Sequence, residues 1–128
     1  MPAKTPPPNP TPGELAILRV LWEQGPSPVR AVWEILNTQS KTGYTTVLKM
    51  MQIMAQKGLV SRDESQKMHI YRASTAEAKT ERRLVRDVMD RVFGGSAERL
   101  VMRALEERKV SPDELARIRE LLDEQGRK

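Results

Sequence analysis

The chain of 128 residues contains no cysteine and only one histidine, His69. Without cysteine there are no disulfide bonds and no thiolate metal ligands, which fits a reducing cytoplasm. The sequence also has no Gly-rich loop after a strand, so it offers no nucleophile and base that could form a catalytic pair. A lone histidine supplies too few ligands for a metal site. We therefore expect no enzymatic activity, no cofactor, no metal and no small-molecule substrate.

Long hydrophobic runs are missing as well. No segment approaches the roughly 18 apolar residues that a membrane span requires. The first twelve residues hold one lysine and no hydrophobic stretch, so we do not expect them to be a signal peptide. With 30% charged residues, the composition favours a cytoplasmic protein. The apolar fraction of 38% is modest for this length, so self-association would help to stabilise the fold.

The positive charge is distributed unevenly along the chain. The net charge is +5. Residues 1–74 hold nine Lys and Arg against five Asp and Glu, a net charge of +4, whereas residues 75–128 hold thirteen against twelve. A cationic excess in the first part favours contact with nucleic acid through release of counterions. An excess of this size is also common on domains that bind no nucleic acid.

Proline and helix-capping residues predict the first elements. Five of the nine prolines lie in residues 1–11, which we expect to form a disordered or extended arm. Thr11, Pro12 and Glu14 form a predicted capping box that opens a first helix ending near Gln24. Two prolines then predict an extended connector at residues 26–28. A second helix is predicted from Val29 to about residue 39, with Ser27 capping or preceding it.

The segment from residue 43 to residue 60 predicts a helix that leads directly into a strand. Thr45 is the predicted N-cap, and Gly58 stands where a left-handed C-cap is usual. An inward stripe is predicted from Val47, Met51, Met54 and Leu59, with Met50 partly exposed. The opposite face presents hydrogen-bonding and cationic groups: Thr45, Thr46, Lys49 and Gln52. Such a helix, from Thr45 to Lys57, suits the major groove of DNA.

Residues 60–73 resemble two short strands around a polar, basic tip. We place His69 in the second strand, as a surface residue. Helix, strand and hairpin in this order are the winged variant of helix-turn-helix. The hydroxyl, amide and ammonium groups of the third helix can contact bases or phosphates, and cationic groups beside them can hold phosphates. The predicted DNA-binding residues are Lys41, Tyr44, Thr45, Thr46, Lys49, Gln52, Arg62, Gln66 and Lys67.

Three further helices follow the wing. We expect the first to be capped by Ser74 or Thr75 and to end near Phe93, the second to run from the Ser96 cap to Arg108, and the third to open with a capping box at residues 111–114. Their thin apolar seams do not close a core alone and favour a dimerisation region. The alternative is a compact three-helix subdomain packed on the first domain. The predicted dimerisation residues are Leu84, Val88, Val92, Phe93, Leu100, Val101, Leu105, Leu115, Ile118, Leu121 and Leu122.

Short motifs along the chain match one family in order and spacing. They are ELAILRVLW at 14–22, VRAVW at 29–33, YTTV at 44–47, KGLV at 57–60, HIYRA at 69–73, FGG at 93–95 and LV at 100–101. With these motifs the chain resembles the penicillinase repressor family of winged-helix transcriptional regulators. The resemblance implies a mostly α fold with a small β-wing. It comprises an arm (1–11), a winged helix-turn-helix DNA-binding domain (12–74) and a three-helix dimerisation domain (75–128).

The resemblance also implies a function. Members of this family are homodimers that bind a palindromic operator and block transcription, and a membrane sensor-protease triggers cutting within the dimerisation region. The matching bond in this sequence lies near Arg103 and Ala104, where the asparagine-phenylalanine pair of the best-known members is replaced. Lys49 and Ile53 stand where relatives often carry threonine and arginine. The cysteine-rich tail of copper-responsive members is missing, so the resemblance implies no metal sensing.

A second function remains open from the residues. Leu48, Met50 and Ile53 make the third helix more apolar than a typical DNA-reading helix. The same fold could therefore serve as a protein-protein interaction module without sequence-specific DNA binding.

Overall fold

The computed structural model describes residues 7–128, and these residues divide into two compact units at the Leu84–Val85 bond. The elements are α1 Pro12–Gln24, α2 Val29–Gln39, α3 Tyr44–Lys57, β1 Val60–Asp63, β2 Ile70–Ala73, α4 Glu77–Val92, α5 Ala97–Glu107 and α6 Pro112–Gly126. The structure is mostly α with one two-stranded antiparallel sheet, as the sequence predicts. Most of the predicted arm, residues 1–11, lies outside the described residues. Residues 7–10 have no regular secondary structure.

The first helix begins as its capping residues predict. Thr11 Oγ1 accepts a hydrogen bond from the Glu14 amide at 3.2 Å, and Glu14 Oε1 accepts one from the Thr11 amide at 2.9 Å. Pro12 occupies the first helical position, where no amide donor is needed. The capping box is confirmed.

The start of α3 differs from the prediction. Its N-cap is Gly43 rather than Thr45, and Thr45 lies inside the first turn. The turn before α3 is fixed by contacts with α2, because Trp33 Nε1 donates to the Thr42 carbonyl at 2.7 Å and the Thr42 amide donates to Asn37 Oδ1 at 3.1 Å. These bonds set where the helix begins, so a local hydroxyl does not decide it. At the other end Gly58 adopts the predicted left-handed conformation, with φ 85° and ψ 10°.

The core of the first unit forms around α3. Val47, Met51 and Met54 are fully buried, as predicted, and Met50 is partly buried. Tyr71, whose burial the sequence did not indicate, is 1% exposed. The buried apolar residues form one cluster: Ile17, Leu18, Val20, Leu21, Val29, Val32, Val47, Met51, Met54, Leu59, Val60 and Tyr71.

The wing is an antiparallel hairpin in which Val60 pairs with Ala73 and Asp63 pairs with Ile70. His69 lies just before β2 and not within it, which corrects the prediction, and its side chain is exposed. Ser27 does not cap α2, whose N-cap is Pro28. Instead the Ser27 and Tyr71 backbones exchange two hydrogen bonds of 2.9 Å, so the connector pairs with the wing.

Ser74 and Thr75 do not cap α4, which begins at Glu77. The Ser74 amide donates to the Leu59 carbonyl at 3.0 Å, and the Thr75 carbonyl accepts from Trp22 Nε1 at 2.9 Å. Both residues are therefore held by the first unit in a non-helical segment.

The N-terminal starts of α5 and α6 largely agree with the predicted capping residues. Ser96 and Ser111 each accept the predicted bond from the amide three residues on. Within the described chain Glu114 returns no bond to Ser111, so the second capping box is only half formed. The break after α4 contains Gly94 and Gly95 at φ 58° and 81°, a conformation that residues with a Cβ rarely adopt.

One buried ion pair joins the start of α1 to the end of α3. Lys57 Nζ lies 2.8 Å from Glu14 Oε2, and the Glu14 side chain is 5% exposed. Burial by itself raises the pKa of Glu14. The hydrogen bonds from Lys57 and Thr11 and the charge on Lys57 outweigh that effect, so its pKa lies below the ordinary value. The ionised form therefore stabilises the folded state.

We expect Glu14→Gln to lower the free energy of unfolding at neutral pH by about 1 to 2 kcal/mol, because glutamine keeps an acceptor for Thr11 but loses the charge facing Lys57. Because the pKa of Glu14 is lower in the folded state than in the unfolded state, its ionisation stabilises the fold fully above the unfolded-state pKa. This stabilisation is lost as the pH falls through the folded-state pKa. The difference between the two proteins should therefore shrink below roughly pH 4. Urea unfolding followed by circular dichroism, at matched protein concentration, measures both effects.

The matched control for this prediction is Glu34→Gln, which breaks the solvent-exposed pair with Arg30. Exposed pairs contribute little to stability, so this variant should resemble the unmodified protein. Equal effects of the two substitutions would show that the burial of Glu14 has no energetic consequence.

Candidate nucleic-acid interface

The outward face of α3 carries the polar side chains that the sequence singled out. The side chains of Thr45, Thr46, Lys49 and Gln52 are all exposed. Because the opposite stripe of α3 is fully buried, the helix cannot rotate about its axis without losing core contacts. The structure therefore presents hydroxyl, ammonium and amide groups to solvent on one fixed face.

The N-terminal end of α3 is held by aromatic contacts. The Trp33 and Tyr44 rings meet edge to face, with centroids 5.9 Å apart and planes at 84°. The same Trp33 indole donates to the Thr42 carbonyl. Tyr44, a predicted contact residue, is 41% exposed, and its orientation is set by Trp33. Lys41 lies in the turn just before this end and is exposed.

The wing contributes exposed polar groups of both signs. Gln66 and Lys67 are exposed at its tip. Arg62 pairs with Glu64, and its guanidinium lies 3.5 Å from the Tyr71 hydroxyl. The hydrogen bond to Tyr71 and the Glu64 charge, opposed by burial, raise the pKa of Arg62, so the arginine keeps its charge.

The wing as a whole carries little net positive charge. The Ser65 amide donates to Asp63 Oδ1 at 2.9 Å, and this bond, more than any other effect, lowers the pKa of Asp63. Asp63 and Glu64 together balance the charges of Arg62 and Lys67. Among the wing residues the remaining positive charge comes from Arg72.

Four of the predicted residues come together in one cleft between α3 and the wing. Tyr44, Gln52, Arg62 and Lys67 all line it. Lys41, Thr45, Thr46, Lys49 and Gln66 lie elsewhere on the exposed surface of the first unit. The cleft also contains residues that sequence reasoning missed: Arg30, Met68 and His69. No spacing in the sequence indicates them, because the start of α2 and the wing come together only in the folded unit, where Ser27 pairs with Tyr71.

The predicted dimerisation residues are incompletely covered by the chain itself. The described residues of α4, α5 and α6 include no fully buried side chain. Val92 and Leu122 are 62% and 60% exposed. Others are exposed to a smaller degree (Val88, Val101, Leu105 and Leu121) or half-buried (Leu84, Phe93, Leu100, Leu115 and Ile118).

Arg103 and Ala104, at the predicted cleavage position, lie inside α5 and are exposed. Arg103 pairs with Glu106 one turn further along the helix. Across residues 7–128, no helix is both long enough and apolar enough to cross a membrane.

Comparison with known proteins gives one family. The sequence model described as the penicillinase repressor matches residues 10–124. No curated protein matches the chain. Among solved structures, one similar to this chain is a MarR family protein from Bacillus stearothermophilus. It shares 21% sequence identity, the alignment covers 92% of this chain and 74% of that one, and the TM-score is 0.48.

We expect Trp33→Phe to loosen the first turn of α3, because phenylalanine fills most of the indole volume but cannot donate to the Thr42 carbonyl. Loss of one such hydrogen bond should speed hydrogen exchange of the Val47 and Leu48 amides about fivefold. Trp22→Phe is the matched control, since it removes the comparable bond to Thr75 at a distance from α3. Similar exchange in the two variants at these amides would contradict the assigned role of Trp33.

Proposed function

Because this chain belongs to the penicillinase repressor family of DNA-binding transcriptional regulators, we propose that it acts as a homodimeric repressor of a palindromic operator. The observation that carries the proposal is the fixed outward face of α3, which lies beside a wing in the unit that holds most of the positive charge. A helix of this kind fits the major groove of DNA.

Base recognition is assigned to the exposed face of α3. Gln52 can pair with adenine, Lys49 can reach guanine, and the methyl groups of Thr45 and Thr46 can contact thymine. All four side chains are exposed, so these contacts require no rearrangement of the core. Lys49 is the residue to which we assign the largest share of specificity.

Phosphate contacts are assigned to the flanks of α3. Lys41 and Tyr44 lie at its N-terminal end, and the wing supplies Arg62, Gln66 and Lys67. Contacts of this kind fix the register of the protein on the duplex without reading sequence. They also make the affinity depend on salt, because each neutralised phosphate releases counterions.

Dimerisation is assigned to α4, α5 and α6. In a single chain, the apolar side chains that are more than half exposed keep that surface in contact with water. A second copy of the chain would bury it. Two DNA-reading units joined in this way would contact half-sites about 10 base pairs apart. The linked second site can raise operator affinity by a factor on the order of 100.

Induction by proteolysis follows from the same arrangement. We propose that a signal from a membrane sensor-protease leads to cutting near Arg103 and Ala104. A protease that binds its substrate in an extended conformation would require local unwinding of α5. This helix has 11 residues, and none of them is buried in the described chain. Helices with so little burial open at low cost. Cutting would separate the two halves of the dimer and so weaken operator binding.

The decisive experiment is selection of bound fragments from the source genome, followed by gel-shift titration at moderate salt. The proposed repressor should recover a palindromic sequence and bind it far more tightly than unrelated DNA. Ile53 is 46% exposed on α3, which favours the protein-interaction module instead. Absence of any sequence preference in the selection would favour that second function.

We expect Lys49→Ala to weaken operator binding by about 1 to 3 kcal/mol and to change which base is preferred at one operator position. Fluorescence anisotropy with a panel of single-base operator variants measures both effects. Lys67→Ala is the matched comparison. This substitution should weaken binding to all DNA sequences alike, because a phosphate contact reads no base. It should also reduce the slope of log affinity against log salt concentration by about one unit. A uniform loss for Lys49→Ala would place Lys49 on a phosphate.

We expect Leu122→Glu to convert the protein to a monomer, because it places a charge in the apolar surface assigned to the second copy. Operator affinity should fall by a factor on the order of 100 as the linked site is lost. Light scattering after gel filtration gives the mass. Ala116→Glu adds the same charge to an exposed position on the other side of α6 and should leave the dimer intact. A dimeric Leu122→Glu would refute the assigned surface.

A further inference from the structure

One side of α4 carries four positive side chains at helical spacing. Lys79, Arg82, Arg83 and Arg86 follow one another at intervals of one, three or four residues, and at these intervals all four lie within about a third of the helix circumference. Three of them are exposed, and Arg83 is half-buried. We call these four residues the basic face of α4. The apolar residues of α4 that are assigned to dimerisation lie on the opposite side.

The charge of the basic face is not neutralised by residues 7–128. No carboxylate of this part of the chain forms an ion pair with any of the four side chains. Asp90 lies one turn beyond Arg86 on the same side, yet it does not pair with it, and Asp87 pairs with Arg91 instead. Each cation of the basic face has another cation three or four residues away, an arrangement that destabilises a helix in water. A bound polyanion would remove this repulsion.

The start of α4 lies away from most of the residues assigned to operator contact. α4 follows the base of the wing hairpin, where Val60 pairs with Ala73. There the Ser74 amide donates to the Leu59 carbonyl, just beyond the C-terminal end of α3. Operator contacts are assigned mainly to the opposite end of each element, namely residues 44–52 of α3 and the tip of the hairpin. The basic face therefore begins at a part of the first unit that a duplex held by α3 and the wing tip leaves free.

The partner that matches the basic face is the backbone of duplex DNA. From Lys79 to Arg86 the helix axis rises roughly 10 Å, and one strand of a duplex places about three phosphates along that distance. Arginine can bind phosphate oxygens through two parallel hydrogen bonds. On this side of α4, all of which is described, no aromatic residue is present for a single-stranded base to stack on, and no apolar residue is present to enter a membrane surface.

We propose that the basic face of α4 binds the phosphate backbone of a second duplex segment, so that a repressor on its operator also holds a neighbouring stretch of DNA. The proposal rests on the proposed function in one respect, because the operator is the first segment. The second segment can have any sequence, since phosphate contacts read no base. Four cations bind DNA weakly at physiological salt. Bridging therefore favours a segment of the same DNA molecule, whose local concentration is high.

The test is capture of a labelled duplex of unrelated sequence by the full-length protein bound to an immobilised operator fragment, at about 50 mM salt. The variant Lys79→Gln, Arg82→Gln, Arg86→Gln removes three exposed charges and keeps residues that favour a helix. It should capture the second duplex at least about tenfold less well. Its affinity for the operator alone should change less than about twofold, because α3 and the wing are intact. Undiminished capture by this variant would overturn the proposal and would indicate bridging through a second α3.

The matched control is the variant Arg108→Gln, Lys109→Gln, Arg127→Gln. It removes one lysine and two arginines from exposed positions outside α4, so its net charge equals that of the first variant. Capture should be unchanged in this control. An equal loss in both variants would show that only net charge matters and would refute a site on α4. Polyglutamate is the competitor that tests for an acidic protein. If it displaces the second duplex at a lower charge concentration than unlabelled duplex does, the partner is not DNA.

The repressor and the second DNA site can fail separately. If selection yields no preferred sequence, the repressor is refuted, and an unrelated immobilised duplex takes the place of the operator in the same capture experiment. If the protein binds an operator specifically but captures no second duplex, the repressor stands and the site on α4 is refuted. Capture that is lost only in the α4 variant supports the site in either case.

Discussion

Burial of one stripe of α3 is the constraint on which the rest of the first unit depends. Val47, Met51 and Met54 have no exposed surface, and successive residues of a helix point about 100° apart. Fixing three side chains inward therefore fixes the direction of every other side chain on the helix. The polar face points outward because packing in the core holds the apolar face inward. Any proposed contact with DNA depends on that orientation.

The sequence predicts those features of the fold that depend on neighbouring residues. The start of α1, which carries a capping box, and the end of α3, which carries a glycine, lie where the sequence predicts. The hydrogen bonds at these two positions span only a few residues. The start of α3 and the start of α4 lie elsewhere. Trp33 determines the first through the Thr42 carbonyl, and Trp22 helps to determine the second through the Thr75 carbonyl. Bonds between residues distant in sequence leave no local signature.

The candidate site shows the same division. Helical periodicity predicts that Thr45, Lys49 and Gln52 share an exposed face, and they do. The cleft that gathers Arg30 and His69 beside that face could not be predicted, because it exists only where α2 and the wing approach each other. The second unit is the opposite case. Its apolar seams are evident from the sequence, and the structure leaves them largely uncovered. The proposed dimer would make stability there depend on protein concentration.

The two backbone hydrogen bonds between Ser27 and Tyr71 have a mechanical consequence. They join the connector before α2 to β2 through a single β-bridge, so the hairpin is anchored to the helical part of the unit. This pairing restrains movement of the wing relative to the helices of the first unit. A duplex whose groove spacing differs from the separation between the wing and α3 must itself deform to be bound. The energy of that deformation varies with base sequence, so the proposed repressor would discriminate between operators at base pairs that no side chain touches.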